Sequence, residues 1–442
     1  VHAGFWATLE RAASYLGAEL VVIPLRYRNP TSQWTEAQSS DDWWAPEVLP
    51  FLFNVRVRLN RNLVLAADVK TQPTARSPLM GFESLTGAES CILGHTKMQL
   101  RSVPVPTGRM PKLLSTTGAC TVPNFTDTKA GSIGAFHHFL GALLVELDGP
   151  TFHLRQVNAD RKTGAFIDLA KEYSVSGVRP APPALGLVMG DTHARFASPE
   201  VDRATFGPGG IVEALQPKTL VFHDVFDGYS ANPHHVGNPF VSAAKARGEL
   251  GGVRDEVEHT VEFIRSRSRG RRAVLVDSNH GDFLARWVLR ADWKHLDPGN
   301  AEFYLDTARA MLSSSRMTPR GTEYSDPWAF WVERMRGDAD IRCLGPDESF
   351  KLADIECGMH GHRGPNGARG TLRNLSRLGS RVISGHGHEP GIEDGHYRVG
   401  TSTPLRLEYT HGPGSWLNTH CAVYANGKRC LLTIIDGEWR AS

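Results

Sequence analysis

Short apolar runs alternate along the chain with polar, Gly- and Pro-rich connections, a texture that predicts many brief strands interleaved with helices. Near the start, FWATLERAASYLG has the apolar spacing of an amphipathic helix and runs into GAELVVIPL, read as a buried strand. FLFNVRVRL, NLVLAADV, GALLVEL and TFHLRQV read as further strands. In the second half LGLVM, TLVF, AVLV, a weaker run in DIEC, and RVI each predict a short buried strand, with RGELGGVRDEVEHTVEFIRSRSRG as a helix between two of them. Residues from about 290 to 350 lean helical and interrupt that rhythm, which predicts an inserted helical cap. The tail, from YRVGTST to LLTIIDGEW, is strand-rich and carries turn pairs at Asn426-Gly427 and Asp436-Gly437.

Pro180, Pro182 and Pro183 cluster in VRPAPPALGLVMGD, and proline neither donates to a ladder nor continues a helix. A boundary is therefore expected near residue 180, between an N-terminal α/β domain (1–180) of unassigned role and a second domain (181–442). With 442 residues, 40% hydrophobic and 22% charged, the composition is that of a globular protein, and the net charge of +2 does not by itself indicate a nucleic-acid partner. No apolar stretch approaches the ~18 residues of a membrane span, and the N-terminal residues lack a secretory pattern. Six scattered cysteines without CxxC spacing fit reduced thiols, so a cytoplasmic protein with no membrane partner is expected. A P-loop is unsupported, since GxxxxGK[ST] is absent.

The chemistry concentrates after those second-half strands. In order come GDTHAR (190–195), HDVFDG (223–228), DSNHGD (277–282), GMHGH (358–362) and SGHGH (384–388). Ligand-type side chains at the carboxyl ends of several buried strands are what a metal site in an open α/β sheet requires. Read singly, each would be a cap or turn residue; five in series are hard to obtain by chance. Mixed imidazole, carboxylate and amide donors suit Mn²⁺, Fe²⁺ or Zn²⁺ better than Ca²⁺ or a thiolate-seeking ion.

This ordered set resembles that of the calcineurin-like metallophosphoesterases, which include nucleases of double-strand-break repair. Asp191 and His193 match DxH; Asp224 and Asp227 match DxxD, with His223 in place of glycine. Asn279 and His280 match the NH of GNH, with Ser278 in place of glycine and Asp282 displaced by Gly281. His386 and His388 match GHxH in full, and His360 fits the lone histidine, ahead of His362 and of His295 in the helical insert. The resemblance covers roughly residues 185–435. It implies an α/β, metallophosphoesterase-type β-sandwich flanked by helices. It also implies two divalent ions, Mn²⁺ first, with Mg²⁺, Fe²⁺ or Zn²⁺ as the other candidates. Asp191, His193 and His388 would hold one ion, Asn279, His360 and His386 the other, and Asp224 would bridge them. Two ions about 3.5–4 Å apart can clamp the attacking and leaving oxygens of a phosphoryl displacement. His280 would face the scissile phosphate as a catalytic group, and Asp227 would orient it or another ligand.

The substrate must be read from the surroundings. Arg195, just after DxH, and Arg363 and Arg369, in the Gly-rich loop beside the lone histidine, are candidate phosphate contacts. His234 and His235 follow the DxxD strand and read equally as phosphate contacts or as a plain loop pair. Arg265, Arg267, Arg269, Arg271 and Arg272 form a basic run that reads equally as a DNA-tracking patch or as a solvated helix end. The layout of HDVFDG, GMHGHRGPNGARGT and GSWLNTHCAVYANGKR is similar to that of phage-encoded metallophosphoesterases that degrade host DNA. The expectation is thus a metal-dependent DNase working in the host cytoplasm. A small-molecule phosphodiesterase or phosphatase on the same site is the alternative, and a non-catalytic metal-stabilised scaffold a third. A homo-oligomer around a DNA-sized channel would be a natural arrangement, although no heptad specifies one, and no local motif supports a partner ATPase.

Overall fold

The computed structural model describes residues 1–25, 44–319, 321–407 and 410–441. The protein is a mixed α/β structure with several sheets and, among the described residues, ten α-helices.

The strands behind the chemistry-bearing motifs explain the layering. Gly186–Val188, Thr219–Phe222 and Arg272–Leu275 pair in parallel, Ile341–Cys343 extends them on one side, and Asn418–Val423 and Arg429–Ile434 add antiparallel strands on the other. Side chains of a strand alternate between faces. Leu187, Leu220 and Leu275 thus join one buried cluster, while their neighbours Val188, Val221 and Val274 join another. The first cluster is closed by helices. Val253–Arg267 contributes Val253, Val257, Val261 and Ile264 at helical spacing, and Pro327–Met335 contributes Trp328, Trp331 and Val332. The second cluster is closed by another sheet, through Ile355, Ile383, Ile392 and Tyr397. Each such aliphatic side chain contributes about 1.5–3 kcal/mol on burial.

That second sheet has ten strands and draws on both halves of the chain. Arg56–Asn60, Leu63–Ala66, Ser90–Leu93, Lys112–Thr116 and Leu100–Val103 form one half; Gly391–Glu393, His396–Arg398, Arg381–Ser384, Ile355–Glu356 and Lys351–Leu352 form the other. They meet where Arg101 and Leu100 pair with Gly391 and Ile392. The sequence boundary near residue 180 therefore does not divide this sheet, and residues 1–180 supply part of a layer of the same core.

Several local expectations are met. The first helix is Ala3–Leu16, ended by Gly17 in the left-handed conformation, and the tail forms the hairpin Asn418–Val423 with Arg429–Ile434. Asp436 and Gly437 both have positive φ (52° and 81°), as a type I′ turn demands. The stretch VVIPL, in contrast, makes only the isolated bridge Val22–Leu52 among the described residues. The region 290–350 is largely helical, with Pro298–Ser314 and Pro327–Met335 flanking a small hairpin, Arg316–Thr318 with Gly321–Glu323. It links two neighbouring parallel strands, so it serves as a long crossover as well as an insert. No helix among the described residues is long and apolar enough to cross a membrane.

Candidate metal centre

Parallel neighbours deliver their carboxyl ends to one edge of a sheet. Asp191, Asp224 and Asn279 follow three adjacent parallel strands of the six-stranded sheet. His360 and His386 follow two adjacent parallel strands of the ten-stranded sheet. Because the sheets share a core, both edges converge, and six side chains from four segments meet.

Two donor groups result. In one, Asp191 Oδ2 lies 3.0 Å from His388 Nε2, which is 3.4 Å from His193 Nε2. In the other, Asp224 Oδ2 lies 3.0 Å from His360 Nε2, with His386 alongside. The groups abut, since His360 Nδ1 is 3.9 Å from Asp191 Oδ1. A third grouping, His193, Asp227 and His280, shares His193 with the first. Two donors about 2.1 Å from a common ion and 90–109° apart would lie about 3.0–3.4 Å from each other, so the observed spacings fit shared coordination. The buried Oδ1 atoms of Asp191, Asp224 and Asn279 and both ring nitrogens of His360 have no hydrogen-bond partner among the described residues. His360 Nε2 is thus close to Asp224 without hydrogen-bond alignment, as donors aimed at a shared third point would be. Buried polar atoms normally find partners, so this set has the composition and the unmet demand of a divalent-cation site.

The local backbone is bent to the purpose. His193, Asp224, His386 and His388 all have positive φ (42°, 41°, 69° and 56°), a region non-glycine residues rarely adopt and one that clusters at functional sites. Gly385 has a steric reason to be glycine: a Cβ there would stand 2.2 Å from Asp191 Oδ1 and 3.1 Å from His223 Cβ.

Electrostatics divides the histidines. Burial would lower His193, but Asp227, at 2.8 Å from its Nδ1, and the other carboxylates lift it to about 9. His360 is raised in the same way, burial being outweighed by Asp224 and Asp191. Burial, reinforced by the charge of His360, holds His223 and His386 at about 4, the neutral form that ligates metals. Asp191 is pulled to about 2, burial being overcome by His360 and His388.

Asp191, His193 and His388 therefore come together in one group and Asp224, His360 and His386 in the other; Asn279 follows the adjacent strand with its amide oxygen buried and without a partner among the described residues. His280 joins them at the rim: its Nδ1 is 2.6 Å from the Asp227 carbonyl oxygen and its ring 4.7 Å from that of His193. The Asp227 carboxylate faces His193 at 2.8 Å and His280 only at 4.0 Å, so it orients the metal-type ligand first. His223 is fully buried beside His360, with both nitrogens unpartnered. His362 lies 5.4 Å, ring to ring, from His360, whereas His295 is exposed and paired with Asp292.

The arginines separate. Arg195 donates to the Glu249 carbonyl at 2.9 Å and is not part of the cluster. Arg363 is held by Asp277 at 3.1 Å and Asp282 at 3.2 Å. Arg369 lines a cavity that reaches His386. Arg265, Arg267 and Arg272 are ion-paired with Glu262, Asp202 and Asp340, and the run sits at the amino end of Arg272–Leu275, the end of the strand away from Asn279. His234 packs edge-on to Phe283, which in turn contacts His280.

Sequence reading missed three supports. The Trp416 ring lies 4.1 Å from that of His388. His420 accepts from Gly190 N–H at 2.9 Å and bonds Thr205 Oγ1 at 2.9 Å, fixing the turn before Asp191. Thr401 Oγ1 donates to the Asp191 carbonyl. Only a histidine inside the otherwise buried run NTHCAV could have flagged one of them.

Fold and site together define an α/β protein with a buried histidine–aspartate cluster able to hold metal ions. The chain is 32% identical, over 459 aligned positions, to Protein A1 of Escherichia phage T5, an alignment covering all of this chain and 80% of that protein. The chain therefore belongs to the family of phage T5 Protein A1. No protein-family profile matches it, and no solved structure does.

Proposed function

We propose that this protein is a metal-dependent phosphodiesterase that hydrolyses DNA, encoded by a phage and working in the host cytoplasm, on a metallophosphoesterase-type sandwich. The observation that carries the reading is the convergence of six donors, from the edges of two sheets, into two abutting groups. Asp191, His193 and His388 would hold one divalent ion and Asn279, His360 and His386 a second, with Asp224 between them; Mn²⁺ suits this donor set, as do Mg²⁺, Fe²⁺ and Zn²⁺. Bound there, such ions would supply Lewis acidity toward a phosphoryl oxygen and lower the pKa of the attacking water.

The chain's own residues do the rest. Asp227, its carboxylate 2.8 Å from His193 Nδ1, would orient that ring with Nε2 toward His388. His280 donates Nδ1–H to the Asp227 carbonyl, which fixes its ring and leaves Nε2 for the substrate. As the oxygen of a water that has released one proton to solvent bonds to phosphorus and the ester P–O bond breaks, protonated Nε2 would give its proton to the leaving oxygen. Membership of a phage protein family supports the setting, in which host DNA is an abundant phosphodiester.

The test is cleavage of linear and circular double-stranded DNA with Mn²⁺, Mg²⁺ or EDTA, beside bis-nitrophenyl phosphate and an Asp224→Asn control. Mn²⁺-dependent DNA loss, absent in the variant, is expected. Cleavage of the small diester alone would move the substrate to a small molecule, and full activity in the variant would overturn the site.

A further inference from the structure

Beside the candidate metal centre lies a cavity of about 750 Å³, with His386 in its wall. The strand Leu100–Val103 provides one side through Arg101 and Ser102; the loop carrying Arg369 and Arg373 provides another. Its volume falls in the ~300–1,000 Å³ range of pockets that enclose a ligand. Four arginines and two glutamates line it, a net charge of +2. Their pairing is uneven. Arg101 is bound to Glu83 at 2.6 Å, and Arg398 to Glu389. Arg398 also explains Gly387, where a Cβ would stand 2.8 Å from the guanidinium. Arg369 and Arg373 have no ion-pair partner among the described residues, so their guanidinium donors remain available to an anion. Leu100 and Leu372 add apolar wall, which a bare phosphate would not need and a nucleotide would use.

We infer that this cavity is the subsite for a nucleotide of an unpaired DNA strand next to the scissile bond, with Arg369 and Arg373 as its phosphate contacts. The inference rests on the nuclease reading and gives residues 1–180 a part in substrate binding, through the wall at Arg101 and Ser102. A pocket of this size admits single nucleotides and not a duplex, so the strand that fills it is single-stranded at that point. Guanidinium groups match phosphate oxygens in bidentate geometry, whereas the paired arginines of the run 265–272 stand at the other end of the sheet.

The experiment measures binding of a fluorescein-labelled single-stranded dodecanucleotide to the full chain in EDTA by anisotropy, over a series of salt concentrations, with dAMP as competitor. The Arg369→Ala/Arg373→Ala variant should bind about tenfold more weakly, with a salt slope reduced by about 1.4, or about 0.7 per lost phosphate contact. Arg369→Lys/Arg373→Lys should recover most of the affinity, and Arg269→Ala/Arg271→Ala should bind like the parent. Competition by dAMP would place a single nucleotide in the pocket; its absence, with the same loss in the alanine variant, would assign the contacts to the polymer. Unchanged binding in Arg369→Ala/Arg373→Ala, or an equal loss in Arg269→Ala/Arg271→Ala, would overturn the proposal. Because binding is read without metal, a parent that fails to cleave DNA with Mn²⁺ would defeat the nuclease reading separately.

Discussion

Two of the places where this molecule buries carboxylates treat them in opposite ways. Along the hairpin Gly141–Asp148 with Thr151–Asn158, Arg155 donates to both oxygens of Asp168 at 2.7 and 3.0 Å and to Glu146 at 2.7 Å. Glu146 accepts from Ala441 N–H with its other oxygen, so every carboxylate oxygen of this knot has a partner, and only Arg155 Nη1 is left without one among the described residues. At the sheet edges Asp191 and Asp224 are as deeply buried, yet each keeps an oxygen without a partner, and the residues around them hold strained backbone costing about 1–3 kcal/mol apiece. A desolvated charge needs compensation in either place. Where the chain supplies it the feature is structural; where the chain withholds it, the deficit marks a place for a ligand.

The largest effect that would break this comparison concerns the open cluster. Divalent metal at a hundredfold excess over its Kd should stabilise the parent by about 2.7 kcal/mol in thermal unfolding. Asp224→Asn should abolish both that gain and DNA hydrolysis; a metal-induced shift of parental size in the variant would remove Asp224 from the site. The closed knot makes the opposite prediction. Arg155→Ala should cost about 3–5 kcal/mol in urea unfolding, by leaving Asp168 buried and unpaired, and added metal should not restore it. A loss below about 1 kcal/mol would show that the knot is open to water.

Gly385→Ala sharpens the contrast with a smaller change. Its methyl group would press on Asp191 and, less closely, on the buried His223, so metal affinity should fall about 10–100-fold, a larger effect than the accompanying loss of stability in EDTA. Equal affinity in calorimetric titration would mean that Asp191 moves aside at no cost. The smallest effect is a pH dependence of the knot. Burial would raise Glu146, but the hydrogen bond and charge of Arg155 outweigh it and hold the carboxyl below its ordinary value. Its stabilisation is therefore complete above the unfolded pKa of about 4.3 and is lost as pH falls through the lower folded value. Unfolding of Glu146→Gln, followed from pH 6 to 3, should show a shallower acid loss than the parent; identical slopes would place the acid response elsewhere.

The sequence by itself determined the types and order of the candidate ligands, because a strand that must be buried and then release a short rigid donor leaves a recognisable apolar run followed by Asp, Asn or His. It also determined the I′ turn at Asp436-Gly437, since few residue pairs accept two positive φ angles. The tertiary structure decided what depends on partners distant in sequence. It set Asp227 on His193, tied Arg363 to Asp277 and Asp282, and turned Arg195 to the Glu249 carbonyl. It also joined Leu100–Val103 to Gly391–Glu393, so that the N-terminal half walls a cavity at His386. Local pattern reports which face of an element is buried and which residues can bend; sheet pairing across some 290 residues leaves no periodic trace, because any strand edge offers the same backbone donors and acceptors.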